Sequence, residues 1–196
     1  MENPSPSTWS VIALTEADVP RMVEHYMQLS REELSLRFFG GTPEAPERRR
    51  EWLAAMVKGM HKRADVHQLG IVDPTTSDSL VGLASWGPSA QFAKTGEFGV
   101  SVVPGWRGKG VTLALIDHAC LDAAQVGLET MRVDFRSDNS PVKRLIQSVA
   151  MVLPLSQGLS TAKLSLEPHA AEARRLVESV ASFLEALGLG PGAAKL

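Results

Sequence analysis

A glycine-rich turn with two basic residues is the part of the sequence best suited to chemistry. The segment 107–110, Arg-Gly-Lys-Gly, follows an apolar stretch that ends at Val103 and precedes a helical pattern that starts at Val111. Glycines let the backbone turn tightly with its N–H groups outward, and a helix start adds unpaired N–H groups and a partial positive charge. The spacing therefore predicts a site for a phosphate or pyrophosphate, to which Arg107 and Lys109 add positive charge.

The same turn does not fit the two best-known nucleotide-binding loops. A Walker loop requires Ser or Thr directly after Gly-Lys, whereas Gly110 stands there in this chain. The glycine spacing also differs from that of a Rossmann turn. On its own the turn is equally consistent with a sharp bend that carries two solvated cations, because short glycine motifs are weak signals.

Glu97 is the candidate for acid–base chemistry. It begins the strand predicted for residues 97–103, where it shares one face with Gly99 and Ser101 while apolar residues occupy the other face. One acid beside two small residues leaves room for a ligand, and a carboxylate can act as a general base directly or through water. The alternative interpretation is a solvated glutamate at the edge of a strand.

The placement of these residues depends on the elements that hydrophobic periodicity and turn residues predict. The predicted strands are 9–14, 66–72, 80–86, 97–103, 130–135, 151–155 and 161–166. The predicted helices are 15–29, 30–41, 46–62, 111–126, 140–148 and 172–187. This order predicts a single α/β (α+β) domain over residues 9–167, with a mixed sheet and flanking helices. We expect flexible tails at 1–8 and 189–196 and an additional C-terminal helix within 168–188.

The composition is that of an ordinary globular domain, with 44% hydrophobic and 21% charged residues among 196. The formal net charge of −2 gives no basic surplus, which argues against a nucleic-acid-binding protein. No apolar stretch reaches the length of a membrane span and no secretory signal is visible, so a cytoplasmic protein is expected. The five histidines lack metal-ligand spacing, so we expect no metal site. Cys120 has apolar neighbours and is expected to be a buried structural thiol.

The stretch from Val103 to Leu113 resembles the acetyl-CoA-binding motif of GNAT superfamily N-acetyltransferases. That motif reads Arg or Gln, two residues, Gly, one residue, then Gly or Ala, and only Thr112 departs from it, at the last position. Glu97 opens the preceding strand and Asn139 begins the helix after the next strand, as comparable residues do in the family. The resemblance covers about residues 9–166.

The resemblance implies a GNAT-like acyl-CoA-binding fold with a mixed, largely antiparallel central sheet. It further implies that acetyl-CoA is the co-substrate and that Glu97 is the general base. The residues implied to bind acetyl-CoA are Val102, Val103, Arg107, Gly108, Lys109, Gly110, Val111, Thr112 and Asn139.

The implied reaction moves an acetyl or acyl group from acetyl-CoA to a primary amine of a small molecule or a protein lysine. The amine attacks directly in a ternary complex, after it has lost a proton from an ammonium with a reference pKa of about 10.4. The family often protonates the departing thiolate with a tyrosine, but Ile146 occupies that position here. Ser148, water or unaided departure of the thiolate are the options, and the alternative function is an acyl-CoA-binding sensor or interaction module with little or no turnover.

A second resemblance lies upstream, from Leu29 to Gly40. The residues Leu-Ser followed by Leu-Arg-Phe-Phe resemble a segment of bacterial protein-lysine acetyltransferases that act on acyl-CoA synthetases. We interpret Phe38 and Phe39 as core aromatics rather than as substrate contacts. The apolar stripe of the last predicted helix, 172–187, has to pack against the sheet or a second subunit, which slightly favours a homodimer.

Overall fold

The protein folds as a seven-stranded sheet with helices on both faces, in a computed structural model that describes residues 9–76, 78–139, 142–143, 151–154 and 159–169. The strands are β1 (Val11–Ala13), β2 (His67–Val72), β3 (Leu80–Pro88), β4 (Thr95–Val102), β5 (Thr130–Arg136), β6 (Met151–Pro154) and β7 (Leu159–Ser165). The helices are α1 (Val19–Met27), α2 (Arg31–Phe38), α3 (Pro46–His61) and α4 (Val111–Gln125). Short 3₁₀ turns at Glu16–Asp18 and Pro104–Trp106 precede α1 and α4.

The sheet is mixed and largely antiparallel, as the resemblance implies. Its order is β1-β2-β3-β4-β5-β7-β6, and the one parallel pair within it is β4 with β5. β3 and β4 pair along their length, from Gly82 opposite Val102 to Pro88 opposite Gly96. The pairing of β4 with β5 covers three residues and stops at Glu97 opposite Arg132. The two central parallel strands therefore separate beyond that point.

Two apolar layers hold the helices on the sheet. On one face α4 buries Val111, Leu115 and Ala119 against side chains of β2 to β5. On the other face α1, α2 and α3 bury Met22, Leu34 and Val57 in a separate cluster. The two faces of β4 follow the predicted alternation: Phe98, Val100 and Val102 belong to the α4 side, and Glu97, Gly99 and Ser101 turn toward the first three helices.

Local sequence signals explain most of the helix boundaries. Ser30 and Glu33 form the predicted capping box, in which the Ser30 hydroxyl accepts from the Glu33 N–H at 3.1 Å. Gly127 ends α4 with a φ of 84°, the left-handed conformation that favours glycine. The first predicted helix is divided instead, because Pro20 has no N–H to continue a helix and so stands in the first turn of α1.

Several boundaries differ from the sequence prediction. β4 begins at Thr95, so Glu97 is its third residue and does not open the strand. Thr95 and Gly96 extend it because both pair with β5. Of the helix predicted at 140–148, helical structure is described at residues 142–143. Both tails, the last predicted helix at 172–187 and the homodimer it favours, and Ile146 lie outside the described residues.

The contact between α4 and the sheet is close because β3 carries a glycine there. A Cβ placed on Gly82 would lie 2.5 Å from Cγ1 of Val111 and 3.0 Å from Cδ1 of Leu115. These two residues form the start of α4, so the glycine sets how near the helix begins to the sheet. The position of the turn before α4 depends on this contact.

We predict that G82A destabilises the fold, because its methyl group would push the first turn of α4 away from β3. Overpacking of this kind costs about 1–3 kcal/mol. The matched control is G59A in α3, where a Cβ meets no atom within 4 Å and alanine is the better helix former by about 1 kcal/mol. Urea unfolding of both variants checks this, and equal stability of G82A and G59A would contradict the packing described.

Candidate functional site

The glycine turn connects β4 to α4 in the predicted geometry. Gly108 and Gly110 have φ values of 73° and 81°, which few other residues adopt without strain. Gly110 is the N-cap of α4, and the Ala114 N–H donates to its carbonyl at 3.0 Å. The N–H groups before Ala114 belong to the first turn and have no intrahelical acceptor. They are available to an anion, with the positive end of the helix dipole behind them.

Two tryptophans hold the turn in place. The Trp9 indole N–H donates to the Lys109 carbonyl at 2.9 Å, and the Trp9 ring meets the Trp106 ring edge-on at 5.6 Å between centroids. The Lys109 ammonium lies 4.5 Å above the Trp106 ring. A residue a hundred positions upstream thus fixes the turn, which no local motif reveals.

Arg107 contributes to the site differently from the prediction. Its Nε donates to the Val102 carbonyl at 3.1 Å, and its Nη2 lies 2.5 Å from a carboxylate oxygen of Glu33. Although burial raises the pKa of Glu33, hydrogen bonds from Ser30 and Arg107 bring it below its ordinary value. The Arg107 guanidinium therefore ties the end of β4 to α2, and its charge is shared with Glu33.

The other predicted binding residues differ in how exposed their side chains are. Val102, Val103 and Val111 are buried, so only their backbone atoms can face a ligand. Thr112 is partly exposed in the first turn of α4. Asn139 caps the chain after β5: its side-chain oxygen accepts from the Val142 N–H at 3.3 Å.

The edge of β4 that faces β5 is open beyond Glu97. The Val103 N–H donates to the Val81 carbonyl and the Ser89 N–H donates to the Thr95 carbonyl, so odd-numbered residues of β4 bond to β3. Hydrogen bonds alternate along an antiparallel pair, so Phe98, Val100 and Val102 turn their backbone groups toward β5. The pairing of Glu97 with Arg132 uses the Phe98 N–H, and the Val102 carbonyl accepts from Arg107, so the Phe98 carbonyl, both groups of Val100 and the Val102 N–H remain open within the described part of the chain. Because β5 has separated there, this edge is where an extended ligand can add hydrogen bonds to the sheet.

Glu97 lies in a cavity of about 280 Å³ on the face of the sheet toward α2 and α3. It is exposed, and the Ser89 hydroxyl donates to its Oε1 at 2.7 Å. The residues that line the cavity include Arg37, Phe39, Arg63, Ser85, Arg132 and Asp134. The structure therefore places the predicted base in a cleft and not at a flat strand edge, and Ser89 is a neighbour that the sequence did not single out.

The sequence predicted free space above Gly99, but Arg37 fills it. A Cβ on Gly99 would lie 2.5 Å from Nη1 of Arg37. The guanidinium donates to the Ser85 hydroxyl at 2.7 Å. Gly99 thus admits an arginine from α2, and ligand room remains beside it, around Glu97.

Two buried residues of α1, His25 and Tyr26, lie behind Arg37. The His25 ring bonds the Leu80 carbonyl through Nδ1 and the Ser101 hydroxyl through Nε2, both at 2.8 Å. Burial lowers the pKa of His25 to about 4, so the ring is neutral and Nδ1 carries the proton that the carbonyl accepts. Tyr26, the only tyrosine in the chain, is also buried here, and burial raises its pKa.

The prediction that Phe38 and Phe39 are core aromatics holds for only one of them. Phe38 packs edge-on against Tyr26 and Trp52, which confirms a core role. Phe39 is 49% exposed, has a φ of 54° and lines the cavity, so its interpretation as a core residue was wrong.

Cys120 is buried, as predicted. Burial and, to a smaller extent, the charge of Asp117 raise the pKa of its thiol to about 12, which makes it inert.

The described residues contain neither a metal cluster nor a membrane-spanning helix. No group of three His, Cys, Asp or Glu side chains there could hold a metal ion. No helix in that part of the chain is long and apolar enough to cross a membrane.

Several solved acetyltransferase structures share this fold. The GNAT domain of S. lividans PAT matches with a TM-score of 0.65 and 19% identity, over 79% of this chain and 89% of that one. A phosphinothricin acetyltransferase from Sinorhizobium meliloti in complex with AcCoA matches at 0.63 and 14%, over 81% and 88%. A spermidine N-acetyltransferase from Vibrio cholerae in complex with CoA and spermine matches at 0.58 and 16%, over 83% and 98%.

The chain also matches a family model described as the acetyltransferase (GNAT) domain, over residues 11–152. No protein with curated annotation matches it significantly. The matched residues run from β1 to the first half of β6 and include the turn, the open edge of β4 and Glu97. The protein therefore belongs to the GNAT acetyltransferase family and is an acetyltransferase.

Proposed function

We propose that the protein transfers the acetyl group of acetyl-CoA to a primary amine by direct attack in a ternary complex. The observation that carries the proposal is the arrangement of three features along one strand. An anion-binding turn follows the end of β4, an open backbone edge runs along it, and Glu97 lies in a cavity near its beginning. A long thioester substrate and an amine can meet there.

The turn is the proposed site for the pyrophosphate of acetyl-CoA. The N–H groups from Gly108 to Thr112 provide the hydrogen bonds, and the buried valines at 102, 103 and 111 take part through their backbones. Lys109 supplies a positive charge near the turn, while Arg107 holds the turn by its bond to Val102. Asn139 acts at a distance, since it caps the segment that follows β5.

The open edge of β4 is the proposed site for the thioester arm. Val100 turns its backbone toward the gap between β4 and β5, and its N–H group is placed to stabilise the oxyanion that forms when the amine attacks. An N–H group that is already fixed by the pairing of β4 with β3 needs little reorganisation during the reaction. The strand thus positions the acetyl carbonyl near the cavity.

Glu97 is the proposed general base. Its side chain is exposed, and the Ser89 hydroxyl orients one carboxylate oxygen at 2.7 Å. The other oxygen remains available to an ammonium or to a water molecule that carries the proton. The CoA thiolate, with a thiol pKa of about 8.5, can leave without a dedicated acid. Tyr26 is fully buried and is not placed to supply that proton.

The acceptor does not follow from the family. The structural relatives include one enzyme named for phosphinothricin and one named for spermidine, and these two compounds differ in their chemistry. A fold hosts many substrates, so the acceptor has to be read from the cavity of this chain.

We predict that G110E weakens acetyl-CoA binding by roughly 10-fold or more, because a carboxylate would face the pyrophosphate across the turn. The matched control is G110A, since both variants strain a residue with a φ of 81° and only G110E adds charge. Calorimetric titration with acetyl-CoA measures the difference. Folded G110E that binds as tightly as G110A would show that the pyrophosphate lies elsewhere.

We predict that E97Q lowers kcat by about 10²-fold, because glutamine keeps the shape but cannot accept the proton. The dissociation constant for acetyl-CoA should stay close to that of the wild type. E51Q, at an exposed position of α3, is the control for a generic loss of charge. Release of free thiol from acetyl-CoA is the readout, and an E97Q enzyme with full kcat would assign the base to another group.

A further inference from the structure

The Arg37 guanidinium lines the cavity and has few partners among the described residues. It is partly buried, donates to the Ser85 hydroxyl at 2.7 Å and lies 5.0 Å from the centroid of the Phe38 ring. Its Nε is buried and has no hydrogen-bond partner among the described residues. It also forms no ion pair with any carboxylate in the described part of the chain.

The other two arginines of the cavity differ in this respect. Arg63 pairs with Asp65 at 3.0 Å, and Arg132 pairs with Asp134 at 2.8 Å. Once these internal pairs are set aside, the charges that remain at the cavity wall are the cation of Arg37 and the anion of Glu97. The cavity therefore presents a positive and a negative group that do not pair with each other.

The neighbours of Arg37 leave its charge uncompensated. His25 and Tyr26 lie behind it and are neutral, because burial lowers the pKa of the first and raises that of the second. A guanidinium cannot lose its proton in a protein. Removing a charge from water without a counter-ion is unfavourable, so an anion that enters the cavity would be bound strongly. A purely structural tie to Ser85 would use only one of the five donors.

The positions of the two charged residues along β4 restrict the ligand. Arg37 lies against Gly99, which is two residues from Glu97 on the same face of β4, so the backbone positions are about 7 Å apart. A cavity of about 280 Å³ is at the small end of the range for ligand sites. These dimensions fit a small molecule that carries an amine and an acid a few bonds apart.

We propose that the acceptor is a small amine with an oxyacid group, such as an amino acid, whose anion binds Arg37 while its amine faces Glu97. This inference rests on the proposed acetyl transfer. The carboxylate is the simplest such group, and a phosphonate or phosphinate has the same chemistry. Gly99 takes part because only a residue without a side chain admits the guanidinium at that place.

The test measures thiol release from acetyl-CoA with matched acceptors. The set contains the common L-amino acids with their α-carboxamides, aminoalkylphosphonates, spermidine and a lysine-containing peptide. The best acid should exceed its amide in kcat/KM by roughly 10- to 100-fold, the loss expected for a charged hydrogen bond. The phosphonates separate a general oxyacid site from one restricted to carboxylates.

Two variants assign that preference to Arg37. R37M should abolish the ratio of acid to amide and leave the dissociation constant for acetyl-CoA unchanged. R50M, at an exposed position of α3 where the arginine pairs with Glu24, should keep both. If R37M does not fold, R37Q, which also removes the charge, is measured in its place.

The outcomes separate the two proposals. Amides, spermidine or the peptide reacting as well as the acids would overturn the oxyacid site and leave acetyl transfer to amines intact. An acid preference that survives in folded R37M would also overturn it. Binding of acetyl-CoA without thiol release to any acceptor would contradict acetyl transfer, and the oxyacid inference would fall with it.

Discussion

The unequal pairing of β4 is the constraint on which the rest of the site depends. This strand is bonded to β3 over seven residue pairs but to β5 over three. The long pairing makes β4 rigid, and the short one leaves its other edge open. A rigid strand with free backbone groups is an element that can hold an extended thioester without folding around it. The open edge, the cavity beside Glu97 and the turn after Val102 are all placed by this strand.

The charged groups near β4 have separate tasks. Arg107 stabilises the end of the strand and bonds Glu33, so the anion site of the turn is built mainly from backbone N–H groups and the helix dipole. Arg37, from the same helix as Glu33, lies against Gly99 of β4 and forms no ion pair among the described residues. Among these arginines, a salt bridge thus neutralises Arg107, which shapes the turn, whereas Arg37 faces the cavity without one.

Local patterns predicted the elements well because their causes are local. The faces of β4, the capping box at Ser30 and the glycine at the end of α4 each follow from neighbouring residues. The contacts of Arg37 could not be predicted, because Ser85 and Gly99 come from strands that are far away in sequence. The tie from Trp9 to Lys109 was hidden for the same reason. The face of β4 on which Glu97 lies could be predicted because strand alternation is local, but its neighbour Ser89 required the tertiary structure.

The central claim is that acetyl-CoA lies along the open edge of β4 with its pyrophosphate at the turn. Backbone amide resonances recorded during an acetyl-CoA titration test it most directly. The account predicts the largest shifts at the amides of residues 98–102 and 108–113, and slower hydrogen exchange at those of Val100, Val102 and residues 108–113. Unchanged amides in both segments, with binding evident elsewhere in the protein, would contradict it.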